Sequence, residues 1–345
     1  MTLPQRMWLD LDPVSETAWR RLLTQSGLHP DLQVDYTVGV FEGGRLVATG
    51  SLLGNIIKEV AVSPQSQGGN LLSSVVQALL DRLAEQGLTH SFVYTKPETA
   101  GFFRSLGFRQ VAGTDKAVLL EQGYPNIQDY LRSLDERRLP GSDAAAIVMK
   151  ADPPTLGHAY LIERAAHAND ALYVFVLSSR DTLLPAQERM RLVSRMCRDR
   201  PGVSVLPTGD YLVSAATFPS YFLKDKARGE VAREQARLDA TIFRDLIAPA
   251  LSISHRYVGQ EPYSAVTALY NEELGRVLQG SPELVVLPRL AVGGVPVSAS
   301  QARQALADGN RDKLQSLVCP GLADEIWRCA RPGQDGKEAD DAKNA

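Results

Sequence analysis

Residues 145–158 read Ala-Ala-Ile-Val-Met-Lys-Ala-Asp-Pro-Pro-Thr-Leu-Gly-His, and this segment indicates the fold class of the second half of the chain. The apolar run from Ala145 to Met149 is typical of a buried strand in a parallel sheet. A proline-rich turn follows, and residues from Gly157 to His167 can continue as a helix. A strand that passes through a short turn into a helix is the first unit of a doubly wound α/β sheet.

The turn at Thr155-Leu156-Gly157-His158 has the features of a phosphate-binding site. Ligands of open α/β sheets bind beyond the carboxyl ends of the strands, and a helix N-terminus offers free N–H groups and a partial positive charge. Gly157 lets the backbone approach a phosphate, and His158 in the first turn can donate a hydrogen bond to it. The same residues also fit an ordinary turn in which His158 caps the helix, and the local sequence does not decide between the two.

Strands and helices alternate on the C-terminal side of this stretch, with connections of only a few residues. This pattern predicts a doubly wound, Rossmann-like parallel sheet. Its predicted elements are strands at 172–177, 203–207, 254–258 and 283–288, helices at 187–197, 233–247 and 266–278, and closing helices at 300–307 and 314–329. The polar and charged residues 331–345 are predicted to be disordered.

The N-terminal residues carry a different pattern, which predicts a separate α+β domain. Its predicted elements are a hairpin at 36–53, strands at 56–62, 91–95 and 117–120, a helix that begins after Asn70, and a helix at 98–106. The charged segment 131–143 ends in Leu-Pro-Gly-Ser-Asp, which is typical of a linker. We therefore expect a first domain at 1–130, a linker at 131–143 and a second domain at 144–330.

Composition excludes several classes of protein. With 345 residues, 44% hydrophobic and 22% charged, the chain is typical of a soluble protein of about two domains. No stretch approaches the ~18 apolar residues of a membrane span, and the N-terminus lacks the plan of a secretory signal, so we expect a cytoplasmic protein. Its 37 basic and 40 acidic residues are interspersed, which argues against nucleic acid as a partner. Three scattered cysteines indicate neither a disulfide framework nor a metal site.

A second candidate phosphate site lies at Val297-Ser298-Ala299-Ser300, followed by Arg303. Small hydroxyl residues before a helix are typical N-caps, and an arginine one turn later suits two-pronged contact with phosphate. Alone, this pattern describes a capped helix with a solvated arginine. Together with the first motif, at the end of the same sheet, it favours phosphate binding. Lys150 and Lys224 are further candidate phosphate contacts, although solvated lysines fit these positions equally well.

The two motifs resemble the (H/T)xGH and ISSTxxR-like signatures of the nucleotidyltransferase superfamily. Longer blocks resemble one family within it, the citrate (pro-3S)-lyase ligases, and this similarity spans nearly the whole chain. The most specific block is Thr-Phe-Pro-Ser-Tyr-Phe-Leu-Lys at 217–224. The others lie at 146–149, 152–158, 209–211, 243–245, 258–263 and 287–289.

The resemblance implies an ATP-dependent reaction. Such ligases use ATP and acetate to acetylate the thiol of the phosphopantetheine-like prosthetic group on the citrate lyase acyl carrier subunit, and they release AMP and pyrophosphate. Mg²⁺ would accompany the ATP without a metal site built by the protein. The implied catalytic residues are His158, Thr155 and Arg303, and the implied nucleotide-binding residues are Met149, Lys150, Gly157, His158, Ser298, Ser300, Arg303 and Lys224.

Thr155 departs from the superfamily pattern, because many members have a first histidine at this position. A threonine donates a hydrogen bond but adds no charge. We therefore expect catalysis to rest more on His158. No general base is obvious in the sequence, and acetate needs none because it is already ionised at neutral pH.

The N-terminal domain resembles the GNAT acetyltransferase fold in Gln65-Ser66-Gln67-Gly68-Gly69-Asn70 and in the block at 102–108. In that fold a glycine-rich loop holds the pyrophosphate of coenzyme A through backbone N–H groups. Here Asn70 replaces the final small residue, and a side chain there would crowd the pyrophosphate. We expect this domain to dock the pantetheine arm or the carrier protein rather than to transfer acetyl groups independently.

Three alternatives stay open at this level. An adenylyltransferase that makes a free dinucleotide-type product shares both phosphate motifs but needs no acetate. An acetyl-CoA-dependent acetyltransferase would use its C-terminal domain only to sense nucleotide. The third alternative is a non-catalytic assembly factor for a carrier-protein complex. The sequence does not reveal the oligomeric state. It does not locate the acetate pocket either. Tyr211, Phe218 and Tyr221 are candidates to line that pocket, although a place in the hydrophobic core is the more common role for such aromatics.

Overall fold

The computed structural model describes residues 3–28, 30–66, 70–179, 182–214, 228–261 and 265–330. Its strands are β1 (Gln5–Met7), β2 (Tyr36–Glu42), β3 (Arg45–Leu53), β4 (Ile56–Val62), β5 (His90–Thr95), β6 (Arg109–Gly113), β7 (Val118–Gly123), β8 (Ala144–Met149), β9 (Ala171–Val176), β10 (Val203–Pro207), β11 (Ile253–Gly259), β12 (Glu283–Leu287), β13 (Ala291–Val292) and β14 (Val295–Pro296). Its helices are α1 (Pro13–Gln25), α2 (Leu71–Glu85), α3 (Ala100–Ser105), α4 (Ile127–Asp135), α5 (Leu156–Ala168), α6 (Ala186–Cys197), α7 (Arg228–Ile242), α8 (Ala248–Leu251), α9 (Ala265–Val277), α10 (Ala299–Ala307), α11 (Arg311–Leu317) and α12 (Ala323–Ala330).

The chain divides into two compact units. The first combines Met1–Tyr130 with Ala215–Ile242, and the second combines Leu131–Ser214 with Phe243–Ala345. The expected second domain at 144–330 was continuous in sequence, so the grouping of α7 with the first unit differs from that expectation. None of the helices in the described part of the chain combines the length and the apolar character that a membrane span requires.

The first unit is built on a seven-stranded sheet with the strand order β1-β2-β3-β4-β5-β7-β6. Neighbouring strands are antiparallel except β4 and β5, which are parallel. The predicted hairpin at 36–53 is present as β2 and β3. Because residues alternate between faces along a strand, Leu46 and Val47 of β3 belong to two different hydrophobic clusters.

Helices cover both faces of this sheet. Trp19 of α1 packs in the cluster of Leu46, and Val75 and Leu79 of α2 pack in the cluster of Val47. The α2 helix lies so close to β3 that a Cβ atom on Gly50 would sit 2.7 Å from Cγ1 of Val75. A larger residue at position 50 would therefore push α2 off the sheet.

Helix α7 completes the first unit from the second half of the chain. It packs against β6, and Glu234 forms a side-chain hydrogen bond with Thr114, just beyond that strand. The Glu234 side chain is 2% exposed. Sequence periodicity predicts a helix here but does not predict which sheet it covers, because that depends on contacts between residues about a hundred positions apart.

The second unit is built on a five-stranded parallel sheet with the strand order β10-β9-β8-β11-β12. The chain winds outward from β8 through β9 to β10, and then returns to the other side of β8 with β11 and β12. The sheet therefore has its topological switch point between β8 and β11, and ligands of such sheets bind beyond the carboxyl ends of the strands at that point. Strand β9 has every residue buried, which explains its uninterrupted apolar sequence.

The predicted fold class, an α+β domain followed by a doubly wound parallel sheet, is confirmed. Three local predictions differ from the structure. The predicted closing helix at 314–329 is two helices, α11 and α12, which residues 318–322 separate. The predicted linker at 131–143 begins within a helix, because α4 extends to Asp135. The predicted helix at 233–247 is α7 followed by a π-helical segment, Phe243–Ile247. The predicted tail at 331–345 lies outside the described residues.

Candidate active site

A cleft opens at the carboxyl ends of β8, β11 and β12, at the switch point of the parallel sheet. Its volume is about 260 Å³. The N-termini of α5 and α10 both border it, since their N-cap residues, Thr155 and Ser298, are part of its lining. The other lining residues are Val148, Met149, Lys150, Gly157, His158, Tyr160, Leu161, Gly259, Gln260, Glu261, Leu287, Pro288, Arg289, Leu290, Val297 and Ala299.

The imidazole of His158 has a defined orientation in the first turn of α5. Its Nδ1 atom lies 3.0 Å from the backbone nitrogen of Thr155 and 2.9 Å from Oγ1 of the same residue. A backbone N–H can only donate, so Nδ1 is an acceptor and the proton of the neutral ring resides on Nε2. The local sequence Thr155 to His158 therefore forms a capping box in which histidine takes the place usually filled by Glu or Gln.

The electrostatic surroundings hold this imidazole in its neutral form. Burial and, to a smaller extent, the positive charge of Arg289 together lower the pKa of His158 from 6.5 to about 4. At neutral pH, His158 is consequently a hydrogen-bond donor through Nε2–H and not a cation. Neutral donors of this kind stabilise charge that develops on a phosphate without adding a charge of their own.

The turn between β8 and α5 is held by a buried network. Both carboxylate oxygens of Asp152 accept backbone N–H groups, those of Leu183 and Leu184, at 2.9 Å each. Arg189 of α6 has 0% exposure and donates to three backbone carbonyls, those of Lys150, Ser179 and Leu184, at 2.7 to 3.1 Å. The network fixes the path of the turn and hence the placement of Thr155 and His158.

The second predicted motif forms a second capping box. Ser298 Oγ accepts the backbone N–H of Gln301 at 3.2 Å, and the Gln301 side chain accepts the backbone N–H of Ser298 at 3.0 Å. The serine hydroxyl thus serves as a helix cap and still has its own proton to donate towards the cleft. Ser300 lines a neighbouring cavity of about 510 Å³, together with Glu261, Arg289, Val295, Pro296, Ser298 and Gln301.

Most of the predicted site residues lie around these two cavities. Met149, Lys150, Thr155, Gly157, His158 and Ser298 line the cleft, and Ser300 lines its neighbour. Arg303 does not line either cavity in the described residues. Its guanidinium donates to the carbonyl of Asp152 at 2.7 Å and to Ser300 Oγ at 2.9 Å. Lys224, and with it the block at 217–224, lies outside the described residues.

Two charged residues of the cleft, Glu261 and Arg289, were not among the predicted site residues. Arg289 Nη2 lies 2.8 Å from Glu261 Oε2, and both side chains line both cavities. They follow the carboxyl ends of β11 and β12, the neighbouring strands on one side of β8. The rule that ligands bind beyond strand ends would have indicated them, had it been applied to every predicted strand.

The described residues contain no group of three or more His, Cys, Asp and Glu side chains that could hold a metal ion. The cleft is instead lined by glycine backbone, helix N-termini and a few polar side chains. This chemistry suits a phosphate-bearing ligand that brings its own counterion.

The first unit contains a separate cavity of about 410 Å³. In the described part of this unit, β4 and β5 pair at Ile56 with Phe92 and at Ile57 with Val93, and the later residues of both strands line the cavity. Lys58, which is 4% exposed, forms an ion pair of 3.1 Å with Asp31 beside it. Thr99 and Phe102 also line the cavity.

Comparison with solved structures finds resemblances to parts of the chain. The crystal structure of Escherichia coli ElaA superposes with a TM-score of 0.32 at 15% sequence identity, over 35% of this chain and 99% of that one. The structure of Thermotoga maritima TmcAL bound with alpha-thio ATP superposes with a TM-score of 0.36 at 16% identity, over 53% of this chain and 55% of that one.

Sequence comparison finds similarity along most of the chain. A family described as "Citrate lyase ligase C-terminal domain" matches residues 144–323. The citrate (pro-3S)-lyase ligase of Escherichia coli strain K12 is 37% identical over 299 residues, which is 84% of each chain. The protein of the same name from Klebsiella pneumoniae is 35% identical over 332 residues, which is 94% of this chain and 96% of that one. The chain therefore belongs to the citrate (pro-3S)-lyase ligase family, and it is an enzyme of the ligase class.

Proposed function

We propose that this chain uses ATP to activate acetate as acetyl-AMP and then acetylates the thiol of the prosthetic group on the citrate lyase acyl carrier subunit. The observation that supports this most directly is the meeting of two capped helix N-termini, at Thr155 and Ser298, on one cleft. Two such termini favour a ligand with several negative charges, such as a triphosphate. The names of the relatives point to citrate lyase as the protein that is modified.

In the first step, a carboxylate oxygen of acetate attacks the α-phosphorus of ATP. The bond from this phosphorus to the oxygen that bridges it to the β-phosphate breaks, and pyrophosphate leaves with that oxygen. Acetyl-AMP remains as a mixed anhydride. Acetate needs no general base because it is already ionised at neutral pH. The protein is therefore required mainly to align the two reactants and to stabilise charge.

In the second step, the sulfur of the carrier thiolate attacks the acetyl carbon of the anhydride. The bond between that carbon and the phosphate oxygen breaks, and AMP leaves with the oxygen that acetate had supplied. The thiol proton passes to solvent. The overall products are the acetylated carrier, AMP and pyrophosphate.

The cleft residues have distinct parts in this scheme. His158 donates from Nε2 to the phosphate that undergoes substitution, and Gly157 allows the backbone N–H groups of α5 to approach it. Ser298 and the N-terminus of α10 offer further donors from the opposite side. Mg²⁺ arrives with ATP, and its role is to offset charge on the phosphates.

A pyrophosphate exchange assay tests the first step. Labelled pyrophosphate is incubated with the full-length protein and ATP, with and without acetate, and the appearance of label in ATP is followed. We expect label to appear only with acetate, because reversal of the step requires acetyl-AMP. Exchange that proceeds equally without acetate would contradict this proposal and would favour an adenylyltransferase that uses another acceptor.

We further propose that the cavity of the first unit receives the pantetheine arm of the carrier. The walls of this cavity come from two parallel strands, whose backbone N–H and C=O groups suit an extended chain that contains amides. The variant Thr99→Trp would fill the mouth of the cavity at an exposed position. It is expected to raise the KM for the carrier and to leave acetate-dependent pyrophosphate exchange unchanged. An unchanged KM for the carrier would place the arm elsewhere.

A further inference from the structure

The described residues of the cleft and of its neighbouring cavity provide little positive charge for a site that holds a triphosphate. Among the described residues that line them, the cationic side chains are those of Lys150 and Arg289, since His158 is neutral at physiological pH. Lys150 is exposed at the end of β8, whereas Arg289 borders both cavities. Of the described lining residues, these two supply the positive charge that can meet the charge on a leaving pyrophosphate.

Arg289 is held in place by its neighbours. Its Nη2 atom donates to Glu261 Oε2 at 2.8 Å, and the two side chains are 27% and 12% exposed. Backbone bonds brace the segments on either side of the pair, since Gln260 N–H donates to the Leu287 carbonyl at 2.7 Å and Val297 N–H donates to the Leu290 carbonyl at 2.9 Å. The guanidinium is thus oriented before any ligand arrives.

Arg303, in the same region, links two structural elements by hydrogen bonds. Its two terminal nitrogens bind the carbonyl of Asp152 and the hydroxyl of Ser300, which joins α10 to the turn before α5. These bonds brace the two helix N-termini against each other. They leave the role of a phosphate-binding arginine to a residue that faces the cavities.

We propose that Arg289, oriented by Glu261, is the arginine that binds the phosphates of ATP and the leaving pyrophosphate, and that Arg303 is a positioning residue. The inference rests on the proposed use of ATP at this cleft. A guanidinium has five N–H donors in a planar fork, so it can hold Glu261 and a phosphate at the same time. Pre-orientation by a carboxylate removes the entropic cost of fixing a long side chain when the ligand binds.

The effect of Arg289 on its surroundings supports this placement. Arg289 and His158 line the same cleft, and the charge of Arg289 contributes to the lowered pKa of the imidazole that the first step uses. Lys150 and Glu261 are the other charged groups that line the same cleft. A phosphate that contacts Nε2–H of His158 would therefore lie within the field of Arg289.

Direct measurement of ATP binding by calorimetry, without acetate or carrier, tests the inference on the full-length protein. Arg289→Gln is expected to weaken ATP binding about 10- to 100-fold, the loss typical of a hydrogen bond to a charged group. Arg289→Lys keeps the charge and is expected to lose less. The control is Arg311→Gln, which removes an exposed ion pair between Arg311 of α11 and Asp324 of α12 and should leave ATP binding unchanged.

A double-mutant cycle tests the role of Glu261. If Glu261 acts through Arg289, Glu261→Gln weakens ATP binding on its own but adds nothing to Arg289→Gln. Additive losses would contradict the positioning role. An NMR titration of His158 gives a second reading: Arg289→Gln should raise the pKa of His158, whereas Arg289→Lys should not.

Arg303→Gln separates the two arginines. This variant is expected to lower the melting temperature, whereas the ATP affinity of the folded protein should change little. The inference is overturned if Arg289→Gln binds ATP within about twofold of wild type, or if Arg303→Gln loses more affinity at an unchanged melting temperature. If ATP binding depends on Arg289 but pyrophosphate exchange proves independent of acetate, this inference stands and the proposed reaction fails.

Discussion

The imidazole of His158 is bonded to the protein through Nδ1, and its Nε2–H is available to a ligand. Thr155 supplies both contacts to Nδ1, and this leaves Nε2–H as the atom that a ligand in the cleft can meet. The backbone N–H of Thr155 therefore fixes the tautomer of His158, and the threonine hydroxyl adds a second contact to the same nitrogen. The expected dependence of catalysis on His158 gains a physical reason, although the roles of both residues stay predictions.

The substitution His158→Gln isolates the imidazole from the helix cap. Gln301 already caps Ser298 in the same position of α10, so glutamine at 158 should keep α5 intact. We expect acetate-dependent pyrophosphate exchange to fall about 100- to 1000-fold, as it does when one transition-state donor is removed. His167→Gln, at an exposed position in the last turn of α5, is the matched control and should retain full exchange.

The lowered pKa of His158 also predicts how stability depends on pH. The pKa is about 4 in the folded state against 6.5 for an ordinary histidine, so between these values the unfolded state binds more protons. Stability contributed by the neutral form is thus fully present above pH 6.5 and is lost as the pH falls towards 4. Urea denaturation at pH 7 and pH 5 should show a smaller difference for His158→Gln than for wild type. Equal differences would show that His158 titrates normally.

The contact between Arg289 and Glu261 could not be predicted from the sequence. Both residues occur in sequence blocks that resemble the family, yet neither block shows that the two side chains meet. Their contact depends on the adjacency of β11 and β12, which appears only once the sheet order is known. Conversely, the bond from Arg303 to Ser300 follows from their three-residue spacing on one helix, but its bond to Asp152 does not.

At the level of elements, the site depends on the turn that leads from β8 into α5. Ala151 adopts a φ of 50°, a left-handed conformation that is costly for a residue with a Cβ atom. The network of Asp152 and Arg189 holds this conformation. The strand and the helix were evident from the apolar pattern and the turn residues, but Arg189 was not, because buried arginine has no periodic signature.

Removal of Arg189 should therefore destabilise the second unit. Arg189→Leu leaves three backbone carbonyls, one buried and two partly buried, without their donor and removes the charge that faces Asp152. We expect a loss of roughly 3–5 kcal/mol in the free energy of unfolding, measured by urea denaturation. Arg191→Leu, on the same helix but 49% exposed, should cost no more than about 1 kcal/mol. Similar losses for the two variants would mean that the network does not carry this stability.

At the level of the whole molecule, the first unit is completed by a helix from the second half of the chain. Periodicity indicates the existence of α7, but the partner strand β6 lies more than a hundred residues earlier. Long-range pairing of this kind is not encoded in local pattern. The order of strands in the parallel sheet is different, because alternating strands and helices restrict the connections to a few topologies.

The position of α7 predicts that a fragment of residues 1–143 is incomplete. Such a fragment exposes the surface of β6 that α7 covers, and it lacks Glu234 as the partner of Thr114. We expect it to unfold at a lower urea concentration than the same fragment joined by a flexible linker to residues 228–242. Identical unfolding midpoints would show that α7 contributes nothing to the first unit.

In the proposed reaction, acetate attacks the α-phosphorus of ATP in the cleft of the second unit. Isotope transfer tests it most directly: acetate labelled with ¹⁸O is supplied with ATP and the carrier, and the AMP is analysed by mass spectrometry. The proposed mechanism predicts one labelled oxygen in each AMP, because the acetate oxygen stays on the phosphorus when the thiolate takes the acetyl group. Unlabelled AMP, or label in a phosphate released from another position of ATP, would contradict it.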